Sequence, residues 1–495
     1  MTSPSTAVNS EATDVLPEPP FRHSPGIFGV PYVTAAILGL IALLGTFVVY
    51  NSFRFHCSEA EMKTMNDVPS IIVGYAKVPD IGHAFLRYWH APWIQEDIFC
   101  FRPVAGFQYW LETYVGLHYG FIVNAWFGYL LLVTIIWLCS LVTYRLTSSP
   151  LLAVIGCLFG VCSRFYNDGQ PGYFLAWYPI HQDLLMMVAL MTALVAFDHW
   201  LTSASRASLG IMWLAFAFGC LTKEHVFAFP FMAASLAAVR PLGGGVTKRS
   251  AFVQVALTTL FVAGLVAVRH IMYTAPRDPH FRAGVIFHKP LMFMYHEIGL
   301  EVLTGDGGVF ALAVVLAAAL WVGLYLRRHR INSLVIRYGV VLPCVLAVGG
   351  ISQWLVTGSP IMTVFRLMEV SRTGTEMVDC LALLYTIVLV IKYRRVSGVS
   401  RAWLLLFFSY LPVISFIGWH YTMPAALFRS IYWPIIGQAA IVDLRGAMQH
   451  LPQGLVAAWH RLAEATNSAG FIAELERPTS PKSVSDGLIA SADAS

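Results

Sequence analysis

The chain has 495 residues, 57% of them hydrophobic and only 12% charged, with a formal net charge of +5. Soluble domains run at roughly 45–50% apolar and 25% charged residues, so a water-soluble fold of this length would leave much apolar surface wet. The small positive charge is scattered over short loops and points to no nucleic-acid partner.

Residues 1–25 are rich in Ser, Pro, Thr and Glu and predict a disordered tail. Apolar runs of spanning length follow at 27–50, 119–143, 151–166, 182–201, 208–222, 226–243, 251–272, 307–326, 338–357, 378–392, 402–418 and 432–445. About twelve spans make an all-α, polytopic transmembrane bundle over 26–446. The first run is long enough to remain as an anchor. Residues 447–495 form a second tail, beginning with an apolar-patterned stretch from Leu451 to Ala465 and ending in a Ser- and Asp-containing run.

Basic residues orient the spans. With both termini cytoplasmic, the inner turns hold Arg145, Arg206, Lys248, Arg249, a group from Arg327 to Arg337, then Lys392, Arg394, Arg395, Arg401 and Arg445. In a bacterial envelope this is an inner-membrane protein. The frame leaves one large outer loop over 51–118, predicted to form helices lying along the membrane surface, and a medium one over 273–306.

Charges near membrane depth are costly and are functional candidates by default. The frame puts Glu59, Glu61, Asp67, Arg102, Asp183, Lys223, Glu224, Arg366, Arg372 and Arg429 on or near the outer face. Lys223 and Glu224 read equally as an interfacial pair at a helix turn. Arg429, before Ser-Ile-Tyr-Trp-Pro, suits an anionic headgroup because its guanidinium presents a fork of donors to phosphate. It also reads as an arginine snorkelling among aromatic neighbours. An outer-loop carboxylate could act as a general base toward a hydroxyl, and residue type alone does not choose among Glu59, Glu61, Asp67 and Asp80. Cys57 and Cys100 share the large loop, which on the outer side permits a disulfide as readily as two free thiols. No His/Cys cluster has metal-ligand spacing, so no metal and no cofactor is expected.

Four segments in order resemble the GT-C class of membrane glycosyltransferases, most closely the protein O-mannosyltransferase branch that includes the transmembrane and tetratricopeptide-repeat-containing family. They are Ser58-Glu59 followed by Asn66-Asp67-Val68; Phe101-Arg102-Pro103-Val104 leading through Tyr109 and Gly116 to Asn124; Trp177 through Asp183-Leu184-Leu185, with Leu221-Thr222-Lys223-Glu224 and Pro230; and Leu411-Pro412-Val413 with Arg429-Ser430-Ile431-Tyr432-Trp433-Pro434 and Gly437. Ser58 stands where the family has the first of two acids, and His181 where it has an arginine. No tetratricopeptide repeats follow.

The resemblance implies a polyprenyl-phosphate-linked sugar as donor and inverting transfer to a hydroxyl of a glycan, lipid or protein at the outer face. Glu59 would be the base, with Arg429, Lys223 and Arg102 at the donor phosphate. Asp67, His181, Asp183, Glu224 and Tyr432 would support them. Two other classes fit the same charges: a transporter or flippase of a lipid-linked or anionic substrate, and a non-catalytic relative of the glycosyltransferases.

Overall fold

In a bilayer a chain must satisfy its own backbone N–H and C=O groups, which leaves helices and closed barrels. Helix is what this chain forms. The computed structural model describes residues 26–50, 58–65, 68–90, 102–162, 173–272, 389–390, 392–393, 396–409 and 423–445. The tails expected at 1–25 and 447–495, the runs at 307–326 and 338–357, Asp67, Cys57 and Cys100 lie outside these residues.

A short antiparallel hairpin, β1 (Gly26–Ile27) and β2 (Val30–Pro31), leads into α1 (Tyr32–Tyr50). The segment between α1 and the next spanning helix contributes α2 (Glu59–Thr64), α3 (Val68–Tyr75), α4 (Ile81–His90) and α5 (Pro103–Tyr119). Then come α6 (Phe121–Thr147), α7 (Pro150–Cys162), α8 (His181–Ser203), α9 (Arg206–Thr222), α10 (Phe229–Val239) and α11 (Lys248–Met272). The last described elements are α12 (Ser397–Ser409) and α13 (Met423–Arg445).

Among the described residues, four helical segments are long and apolar enough to cross a membrane: Tyr32–Val49, Phe121–Thr147, Tyr178–Ser203 and Lys248–Val268. Four shorter apolar ones accompany them. Apart from the hairpin, the described residues are thus almost entirely helical, as an all-α membrane protein requires. The second and third of these segments are 72% and 78% buried, against 22% and 11% for the first and fourth. α6 and α8 are therefore the centre of the bundle. α9 runs back antiparallel against α8, while α1 and α7 pack on α6, and α13 joins α12, α7 and α6.

The helix ends follow from local chemistry. Ser148 and Ala204 adopt left-handed conformations that stop α6 and α8. Ser205 caps α9 by accepting from the Ser208 amide. Extended backbone at Lys223 ends α9, and a 3₁₀ turn (Glu224–Ala228) precedes α10. α13 starts at Met423, nine residues before the run at 432–445 predicted from hydropathy, and passes through Pro434. Polar Arg429 and Ser430 and the proline had masked a continuous helix, which neighbouring helices can support inside an apolar bundle.

The loop helices have a hydrophobic core of their own. Met62, Val68, Ile71, Tyr75 and Tyr109 close over Phe121 and Tyr178 at one end of the bundle. This layer sets the site described next.

Candidate functional site

An α-helix rises about 1.5 Å per residue. Asp183 and Asp198, at opposite ends of α8, are therefore about 22 Å apart along the bundle. Each anchors a group of buried charges, and these two poles account for most of the charged side chains inside the described fold.

The first pole lies under the loop layer. Arg102, preceding α5, grips Glu224 in a fork: Nη2 is 2.8 Å and Nε 3.0 Å from Oε2, with Nε 3.3 Å from Oε1. Lys223 is ion-paired with Asp183, and both are almost completely buried. Asp183 also feels the charges of Arg102 and Glu224, so the two pairs form one electrostatic unit. Asp183 lies in the first turn of α8, and Lys223 closes α9. Each charge is placed where the adjoining helix dipole favours it.

Beside them lies a carboxylate that sequence reasoning passed over. Glu112 accepts from Gln108 Nε2 at 2.8 Å and meets His181 Nδ1 at 2.7 Å. The other imidazole nitrogen, Nε2, lies 3.0 Å from the Leu175 carbonyl, which can only accept. Nε2 is therefore the donor to that carbonyl. The imidazole fits only because residue 128 is glycine: a side-chain carbon there would fall 2.1 Å from His181 Nε2. Gln108 also donates to the Tyr178 carbonyl, and Tyr109 Oη donates to the Pro179 carbonyl. Burial pushes the Tyr109 phenol well above its usual range, keeping it a neutral donor.

Glu59 sits at the rim. Its carboxylate accepts the Phe121 backbone N–H at 2.8 and 3.0 Å and faces Lys63 at 3.6 Å. It therefore caps the N-terminus of α6 while remaining about 41% exposed. Ser58, in the position of the family's first acid, begins α2 with a reciprocal capping box to Glu61. That residue is a helix start.

The second pole is built on Asp198. Arg145 Nε is bonded to its carboxylate, Arg240 Nε lies 2.8 Å from Oδ1, and Arg401 Nη1 is 3.8 Å away. Arg145 donates as well to the carbonyls of Phe28 and Asp198 and to Thr202 Oγ1, and Arg240 Nη1 donates to the Arg145 carbonyl. This hub was also missed. Its signal was available, since Asp198 is, with Asp183, one of two acids within a single apolar run.

The structure brings together Arg102, Asp183, Lys223 and Glu224, joins His181 to Glu112, and keeps Glu59 in the adjoining layer. Arg429 and Tyr432 lie on α13. Ser430 hydrogen-bonds Cys139, and its carbonyl lies beside Gly156 and Thr143. Tyr432 is buried against Trp403, two residues from Arg401, on the side of the second pole. α13 begins earlier than hydropathy suggested, and Arg429 and Tyr432 fall inside it. No family model, curated protein or solved structure matches the chain.

Proposed function

We propose that the chain is a membrane glycosyltransferase that moves a sugar from a polyprenyl-phosphate-linked donor to an acceptor hydroxyl, with inversion, at the extracytoplasmic face. One observation carries this reading. Two cations and two acids from α8, from the residue before α5 and from the turn after α9 converge in one buried unit, directly beneath the layer that bears Glu59.

In this reading Glu59 is the base that takes the proton of the attacking hydroxyl. Arg102 and Lys223 stabilise the departing phosphate as negative charge builds on it. Asp183 and Glu224 hold those cations in place until the phosphate arrives, so capture is an exchange of one anionic partner for another. The acceptor class (glycan, lipid or protein) stays open.

A non-catalytic reading is favoured by one feature, the existing pairing of both cations with acids. Reconstitution in proteoliposomes with a labelled polyprenyl-phosphate sugar separates the two. Transfer by wild type, reduced about 10²–10⁴-fold in Glu59→Gln, is expected for a general base. Arg102→Lys should cost less, because it keeps the charge and loses the fork. No transfer from a stable wild-type protein would leave the non-catalytic reading, and undiminished transfer in Glu59→Gln would remove Glu59 as the base.

A further inference from the structure

Native folds leave few buried hydrogen-bonding atoms without a partner, because each has given up water for nothing in return. Such atoms lie beside the first pole. Gln108 on α5 is 3% exposed and Gln182 in the first turn of α8 is 8% exposed. The Oε1 of each is buried with no hydrogen-bond partner among the described residues.

The orientation of the Gln108 amide is settled by its other end. Its nitrogen donates to the Glu112 carboxylate and to the Tyr178 carbonyl. Turning the amide over would set oxygen against oxygen twice, so Oε1 faces away from both. Gln182 stands between His181 and Asp183, and successive helical residues point about 100° apart. Its side chain therefore leaves α8 between the one that meets Glu112 and the one that meets Lys223.

Both amides border the cations assigned above to the donor phosphate. Gln108 follows Arg102 by about 9 Å of helix, and Gln182 adjoins the acid that holds Lys223. An ionised phosphate only accepts hydrogen bonds, so the group those cations attract cannot satisfy an amide oxygen. A hydroxyl can. It donates through its hydrogen and accepts through its lone pairs, and so pairs with either end of an amide.

We propose that Gln108 and Gln182 accept hydrogen bonds from ring hydroxyls of the sugar carried on the donor phosphate, and thereby set which sugar is taken. This rests on the glycosyltransferase reading and adds to it the part of the donor that these side chains recognise. A sugar lacking the matching hydroxyl leaves a buried oxygen unpaired, which is how a polar site rejects a close analogue.

The test measures binding by the full chain in detergent, with hexosyl farnesyl phosphates (mannose, glucose and galactose) and with farnesyl methyl phosphate, the same diester without a sugar. At least one hexosyl lipid should bind wild type about tenfold or more tighter than the methyl diester. Gln182→Leu should remove most of that advantage and leave the affinity for the methyl diester unchanged. It should also melt no lower than wild type without ligand, because it deletes an unpaired oxygen. Equal binding with and without the sugar would overturn the inference and leave the phosphate site standing. Binding of neither would overturn the donor reading, and the inference with it. A lower melting temperature in Gln182→Leu with an unchanged sugar preference would also overturn it, by showing that an ordered water occupies that oxygen. Wild type supplies a readout that needs no variant. Among monodeoxy forms of the tightest hexose, removal of particular hydroxyls should weaken binding about tenfold, and uniform affinity across the series would overturn the proposal.

Discussion

The two poles of the bundle use similar residues in opposite ways. At the Asp198 pole one acid faces three arginines, and the apparent surplus of positive charge is absorbed by backbone. Arg145 donates to the Phe28 and Asp198 carbonyls, and Arg240 to the Arg145 carbonyl, where α6, α8 and α10 all end. Backbone carbonyls carry partial negative charge, and the Arg145 carbonyl lies in the last turn of α6, so the cations are held by the fold itself. At the Asp183 pole the charges meet side chain to side chain, Arg102 with Glu224 and Lys223 with Asp183. A cation committed to backbone cannot leave without giving up contacts that tie the hairpin, α6 and α8 together. One held by another side chain can change partners, which is why the loop-side pole is the better candidate for binding and the far pole for stability.

The largest expected effect tests the far pole. Asp198→Asn leaves Arg145, Arg240 and Arg401 around a neutral group, and breaking a buried ion pair typically costs about 3–5 kcal/mol. Asp198, with three partners, should fall near the upper end, about 5 kcal/mol, read as a lost or strongly lowered thermal transition in detergent. An effect no larger than that of Asp183→Asn would erase the distinction between the poles.

Next is a double-mutant cycle at the loop-side pole. Lys223→Met alone strands the Asp183 carboxylate and should cost about 3 kcal/mol. Adding Asp183→Leu removes both charges, and the double variant should recover to within about 1–2 kcal/mol of wild type, since a buried pair is often replaceable by apolar groups. The same cycle attempted with Asp198 and any one arginine should not recover, because two other cations remain. Recovery there would show that the hub is a set of independent pairs.

These contrasts also explain what could be read from the chain alone. Hydropathy found α1, α6, α8, α9 and α11 to within a few residues, because lipid and core demand the same apolar side chains over a set length. It did not find the 3₁₀ turn at Glu224–Ala228 or the true start of α13, where polar residues lie inside the packed structure. The grouping of Arg102 with Asp183, Lys223 and Glu224 was legible because charges predicted for one side of a bilayer must meet near one end of the bundle. Glu112 was not, since its partners Gln108 and His181 become neighbours only when α5 folds back onto α8. Arg429 was singled out by motif and orientation, but its position within a continuous α13 was hidden by the polar Arg429–Ser430 pair and Pro434.

The smallest expected effect concerns the layer over the loop-side pole. α2 is six residues long and begins with the Ser58–Glu61 capping box. The Ser58 backbone and hydroxyl donors hold the exposed Glu61 carboxyl below the ordinary value of 4.5. A lowered folded-state value means that the stabilisation is fully present above about 4.5 and is lost as pH falls through that lower value. Hydrogen-exchange protection of the α2 amides, normalised for intrinsic rates, should stay flat from neutral pH to about 5 and fall below 4. In Glu61→Ala it should be low throughout and largely insensitive to pH in that window. α2 also carries Glu59, whose carboxylate caps Phe121. Fraying should therefore spread to the first turn of α6, while the amides around Asp198, about 22 Å away along α8, keep their protection. Equal loss at both ends would mean that the poles do not respond separately.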